Sequence, residues 1–510
     1  MQERISGYNN RSRESQTIIA GVAVMAAAAF ITLLLFALNS DISATFPYFF
    51  ILPWLLAMLV VVLIPSGVLL YQGKFSFDNP LVFATFSYFI PAFFFGGLAL
   101  AAGVSQPYFL VYIQDAKTNL PLTIQLIMLG HAGLAVGYFL PVGKRVGEYL
   151  SGYFKKSDYT ESSYVIPGVV LLGLGIVNSA VSLVSGLFGF QRGTEIGTYD
   201  GIIFLATLFW LQASFLLWFI IFRQKKFDAR SFALIGVLVV SALSKALFAG
   251  NRGSLIQIFI CIMLAYILAG RAFKFKQIAW ASLLLFVAVI AGTIYGTTFR
   301  DVKGSEDQQS AVDYTENIFN TFDRIGKNDN ASLLGTGLTT LAERIDTLSS
   351  VAVVVSNYEQ LAPYEESYGL DDNITKDLTT FLIPRVIWAD KPVASEARKY
   401  SELYFNFGEN SFAITPIGDL VRNFGVIGVP IGMLVLGMIL RGIYRTLIED
   451  QPRVVWRSTL YFMLLTAISY EGFYGAIIPF LFKVGVTAIV GLLLVWFLAK
   501  RTGGTKVATA

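Results

Sequence analysis

Arg300-Asp-Val-Lys-Gly-Ser-Glu-Asp-Gln-Gln-Ser310 opens a polar stretch that does not close until Ser411-Phe-Ala-Ile-Thr-Pro416. Between Arg300 and Ala413 lie 19 of the chain's 34 Asp and Glu but 10 of its 38 Lys and Arg, so the stretch is net −9. Leu338, Leu341, Ile345, Leu348 and Val351 recur at spacings of three and four, which predicts one helix with a single buried stripe. Near the end, Phe381–Trp388 is an apolar run holding Pro384-Arg385. Lys391-Pro392 and the aromatics Tyr400, Tyr404, Phe405 and Phe407 follow. These aromatics suit either a loop core or stacking on sugar rings. A connection this long costs ordering entropy, and such connections carry function.

Everything on either side reads as membrane. Of 510 residues, 55% are hydrophobic and 14% charged, with a mean hydropathy of +0.64; soluble domains carry about 25% charge. Twelve apolar runs are each about long enough to span a bilayer. They cover 17–38, 47–71, 80–103, 121–140, 164–184, 200–222, 231–249, 253–270, 278–298, 416–440, 458–475 and 477–498. The expected fold is therefore an all-α polytopic membrane protein. Transmembrane helices 1–9 fill 1–299, a mostly helical external loop fills 300–413, and helices 10–12 fill 414–500. Residues 501–510 form a disordered cytoplasmic tail. The first run is too long for the apolar core of a signal peptide and is read as an anchor.

Charge gives the orientation. With the N-terminus in the cytoplasm, the cytoplasmic segments hold 22 Lys and Arg. The short external loops hold three: Lys117, Arg192 and Arg252. Positive charge gathers on the cytoplasmic side of membrane proteins. The expectation is a cytoplasmic (inner) membrane protein with both termini inside and 300–413 outside. The net charge of +4 belongs to these loops and implies no nucleic acid. Cys261 stands alone in an apolar run, which leaves no disulfide and no thiolate metal site. No metal-ligand cluster, phosphate loop or dinucleotide motif appears, so neither metal nor cofactor is expected.

Ionisable groups inside spans cost about 2.5–3.5 kcal/mol and mark partners or function. Here they gather toward one end of the spans: Lys245, Arg252, Asp419, Arg422, Glu471 and Lys483. Arg385 and Lys391 return to the same depth from the loop. The bland alternative is a set of ion pairs, Asp419 with Arg422 and Glu471 with Lys245 or Lys483, holding helices together. The sharper one is a cation surplus beside an apolar wall, which suits a lipid-linked phosphate or diphosphate. Arg252, Arg385, Arg422, Lys245, Lys391 and Lys483 are its candidate ligands. Asp419, Glu471 and Glu409 are the carboxylates at that depth. Glu471 is favoured as base, because an apolar setting would raise its pKa, with Asp419 second. His131, midway in a span, reads as a core residue. Gly425, Gly428, Gly432 and Gly437 read as helix-packing positions.

Pro384-Arg385, Trp388, Lys391-Pro392, Ser411, Thr415-Pro416, Gly418-Asp419 and Asn423-Phe424-Gly425, with the turn Asn251-Arg252-Gly253, resemble the Wzy-type O-antigen and repeat-unit polymerases. The motifs cover Arg344 to Gly437, and the span plan covers the whole chain. The resemblance implies a GT-C-like membrane glycosyltransferase. It would move a growing glycan from undecaprenyl diphosphate onto a lipid-linked repeat unit at the outer face of a bacterial inner membrane. Its partners would be those lipid-linked donor and acceptor oligosaccharides, with a chain-length regulator and a flippase nearby. O-antigen ligases share the plan but, by the same resemblance, use an external histidine that this chain lacks. A flippase or transporter of lipid-linked oligosaccharide is the alternative from another class.

Overall fold

A computed structural model describes residues 46–501 and 506–508, apart from 155–156, 188–198, 225–227, 251, 305–309, 328–329, 389, 393–394 and 409–410. Among the described residues nine helices are long and apolar enough to cross a membrane. They are α1 (Phe49–Tyr71), α2 (Pro80–Ala101), α3 (Ala116–Phe139), α5 (Val165–Val184), α6 (Asp200–Arg223), α7 (Ala229–Ala249), α9 (Phe275–Lys303), α15 (Thr415–Leu447) and α17 (Tyr474–Arg501). The protein is a multi-pass, helical membrane protein. The apolar run 17–38 lies outside the described residues.

Two runs expected to span are short helices. α8 covers Arg252–Leu268, and α16 covers only Val455–Thr466. Run 458–475 loses its helix after Thr466 because Ser469 and Gly472, both weak helix formers, sit within the apolar stretch. Residues 467–473 form a non-helical connection instead. The remaining helix of the first half is α4 (Pro141–Ser151).

Glycine sets the closest packing. A Cβ on Gly137 of α3 would lie 2.0 Å from the Leu434 carbonyl oxygen of α15, and one on Gly437 would lie 2.1 Å from that of Leu134. Small residues let two backbones approach this closely in a membrane. Gly425 does something different from the packing role expected of it. At φ +66° it breaks α15 into Thr415–Phe424 and Val426–Leu447, a conformation open to glycine but strained for other residues. α6 is covered nearly all round from Trp210 to Ile221, and its Gln212 donates to the Ala488 carbonyl of α17. The outer helices show exposed apolar side chains, Val60 and Ile64 on α1, Val237 and Val240 on α7, Trp280 and Leu284 on α9. That pattern suits lipid contact.

The polar stretch supplies α10 (Ala311–Lys327), α11 (Asn330–Ile345), α12 (Thr347–Tyr368), α13 (Asn373–Thr380) and α14 (Ala397–Phe405). The single helix expected through Leu338–Val351 is two. Asp346 caps α12, its side chain accepting the Ser349 amide at 3.0 Å, so the apolar stripe straddles a helix start. Thr347–Val355 is buried on every side, packed against α3 and α15. Tyr400, Tyr404 and Phe405 are buried too, with Phe405 and Phe412 stacked at 4.6 Å; they form a core rather than an open platform for sugars. In the tail expected to be disordered, Lys506–Ala508 (β2) pairs antiparallel with Ser157–Tyr159 (β1).

Candidate functional site

The first half of α15 and the start of α17 meet against α13. The first half of α15, Thr415–Phe424, carries Asp419 and Arg422 one turn apart, facing the same way. The connection 467–473 delivers the start of α17, whose Gly475 amide donates to Asp419 Oδ2 at 3.2 Å. Gly475 is required here. A Cβ would come within 2.9 Å of Ile374 Cα and 3.1 Å of Asp377 Oδ2.

Arg422 is the centre of the buried part. Its Nη2 reaches Asp419 Oδ1 at 2.9 Å and Asn373 Oδ1 at 2.5 Å. Its Nη1 reaches Glu365 Oε2 at 3.2 Å and the Leu370 carbonyl at 3.0 Å. The guanidinium stands over the Phe473 ring, and its Nε has no hydrogen-bond partner among the described residues. Tyr404 donates to the other Glu365 oxygen at 2.7 Å. Burial pushes the Glu365 carboxyl above its usual range, and Arg422 pulls it back. Asp419 and Arg422 thus pair as the bland reading expects, and two carboxylates answer one guanidinium. Arg422 is not a cation left over for a ligand.

The surplus lies beside this network. Arg385, Lys391 and Lys483 come together at the edge of the site. Burial lowers the Lys391 pKa first, and the neighbouring Lys483 and Arg385 charges lower it further. Lys391 donates to the Ile383 carbonyl at 2.9 Å. Among the described residues neither Arg385 nor Lys483 has a side-chain hydrogen bond or ion pair. Asp377, on α13, lies within electrostatic reach of Lys391 and Lys483 and accepts from Ser395. Burial raises its pKa, Asp419 raises it further, and Lys483 opposes. Asp377 and Glu365 were missed from sequence, where each is one acid among many in an acidic stretch.

Other expected residues fall elsewhere. Glu471 is exposed in the 467–473 connection, so the burial on which its choice as base rested is absent; it forms no ion pair with Lys483 among the described residues. Lys245 stands 4.2 Å over the Trp210 ring in a groove of about 580 Å³ between α5 and α7, lined by Ile176, Leu183, Val237, Val240 and Phe248 among others. Arg252 begins α8, but its side chain, like Asn251 and Glu409, lies outside what is described. His131 is buried, 3.1 Å from Thr85 Oγ1 and edge-on to Phe89, as a core residue would be. Among the described residues no group of three or more His, Cys, Asp or Glu side chains is placed to hold a metal ion.

A family model described as a domain of unknown function, DUF8712, matches residues 77–447. The chain belongs to the DUF8712 family. The match takes in Glu365, Asp377, Arg385, Lys391, Asp419 and Arg422 and stops before Lys483 and Glu471. No curated protein and no solved structure matches the chain.

Proposed function

We propose that the chain is a membrane glycosyltransferase that polymerises lipid-linked repeat units, taking a glycan from a polyprenyl diphosphate. The observation that carries this reading is the trio Arg385, Lys391 and Lys483, which make no ion pair among the described residues and stand near the raised carboxyl of Asp377. In the reaction the anomeric C–O bond to the diphosphate breaks and a C–O bond to the acceptor hydroxyl forms. The trio stabilises negative charge developing on the departing diphosphate. Asp377 takes the proton of the acceptor hydroxyl, the role sequence reasoning gave to Glu471. Arg422 and Asp419 hold α13 and the start of α17 in register as positioning residues.

Purified protein in proteoliposomes with lipid-linked repeat units should produce a ladder of glycan lengths. Arg385→Ala should cut the elongation rate by on the order of 10²–10³-fold, the usual loss when one donor to a developing charge is removed. A triple Ala variant of the trio that still elongates at the wild-type rate would sink the assignment.

A second reading, a carrier of lipid-linked oligosaccharide, draws on the broken helices at Gly425 and 467–473, a device of transporters. Loss of a carrier strands single repeat units inside the cell; loss of a polymerase strands them outside.

A further inference from the structure

From Phe381 to Lys391 the usual arrangement of a water-facing turn is inverted. Leu382, Ile383, Val386, Ile387 and Trp388 are exposed, Ile387 to 78%, while Arg385 and Lys391 are half-buried, with Lys391 close to both Lys483 and Arg385. A soluble surface seldom leaves so many contiguous apolar side chains in water. The backbone closes on itself: Ile383 donates to Thr380, Ile387 and Trp388 to Pro384, and Lys391 to Trp388. Each amide bonded within the segment lowers the cost of approaching hydrocarbon, where unpaired peptide groups are expensive. Phe381 packs edge-on against Phe482 of α17 at 5.4 Å. Phe482, Val486, Ile489 and Val490 then continue the exposed apolar face along that span.

We propose that Leu382–Trp388 dips into the bilayer leaflet on its own side of the membrane. There Trp388 lies at headgroup depth, and the Arg385–Lys391–Lys483 cluster meets anionic lipid phosphates arriving sideways. Two observations select lipid as the occupant: the patch is continuous with the span's lipid-facing surface, and its cations complement a phosphate headgroup. The inference shares its cations with the polymerase reading, but its test reads lipid contact and not elongation, so the two can fail separately.

The test uses the full-length chain in nanodiscs, with Cys261→Ser removing the native thiol. An environment-sensitive fluorophore is placed at Ile387→Cys, at Leu382→Cys as a second probe, and at Ser310→Cys as a water-exposed control. Both probes in the segment should emit to the blue of the control. Lipids spin-labelled near the headgroup should quench them strongly, with iodide quenching several-fold weaker than at the control. The blue shift should grow when phosphatidylglycerol replaces phosphatidylcholine and lose that dependence in Arg385→Ala/Lys391→Ala. Iodide quenching equal to the control at both positions would overturn the proposal and leave the patch to a protein partner. Membrane quenching with no response to lipid charge in either background would overturn the headgroup role of the cations.

Discussion

The two ends of the helix bundle differ in whether their cations are paired. Near the end of α15, Arg441 pairs with Glu449 at 2.6 Å, Arg445 with Glu148 and Asp450, and Arg453 with Asp78. Arg457 departs from this pattern, lying under Trp456 and donating to Gln451 and the Thr446 carbonyl. At the other end Arg422 is paired twice over, yet Arg385, Lys391 and Lys483 crowd together with no carboxylate bound to any of them among the described residues. Paired charges clamp helices. Crowded cations raise the energy of the resting protein, and a ligand that brings negative charge relieves it.

That contrast can be broken at its strongest point first. Arg422→Ala leaves Glu365 and Asp419 buried without their countercharge and should cost about 3–5 kcal/mol, the usual penalty for halving a buried ion pair. Thermal unfolding in detergent would show it. Arg385→Ala relieves the cation crowding and should leave the melting point unchanged or slightly higher while weakening lipid-phosphate binding. If both variants melt alike, the division between clamp and ligand cation is wrong.

The paired end should respond more mildly. Arg453→Ala strips the ion pair from Asp78, which is wholly buried and keeps a contact from Ser76. A loss of about 1–3 kcal/mol is expected, the range for a buried group that loses a partner. Lipid-phosphate binding, followed by microscale thermophoresis, should stay at the wild-type value. A fall in affinity would mean the two ends are coupled.

The smallest effect on stability concerns protons. Asp377 holds its proton above the ordinary value of 3.8 because of burial. Elongation should therefore rise with pH through a midpoint above that value as the base ionises, and Asp377→Asn should abolish activity at every pH. Stability moves the other way. The folded chain binds this proton more tightly than the unfolded one, so the contribution is full at low pH and fades as pH climbs through the folded pKa. Asp377→Asn should flatten that part of the stability profile. An unchanged profile would mean that Asp377 does not titrate in this range.

Most of the membrane plan was legible because hydropathy and span length are local properties. So was the Asp419–Arg422 pair, since three-residue spacing fixes a shared face. Glu471 misled because Ile468, Tyr470 and Phe473 keep the local average apolar where the helix has already ended. Asp377 could not be picked out from its own neighbours. Its environment is made by Gly475, nearly a hundred residues later, whose bare Cα admits the carboxylate. Asp346 did carry a local sign, a capping aspartate three residues before Ser349, but the apolar stripe running through it hid the break.

The burial of Thr347–Val355 sets an order of events during synthesis. One wall of its niche, α3, leaves the ribosome early; the other, α15, is not yet made when α12 emerges. Until then this apolar helix has half a berth. The last clasp, the Gly475 amide on Asp419, waits for α17. The Arg422 network with Asp419, Asn373 and Glu365 draws only on earlier elements, so a chain stopped before α17 would lack the Gly475 clasp on Asp419 and the Lys483 cation, not the whole site.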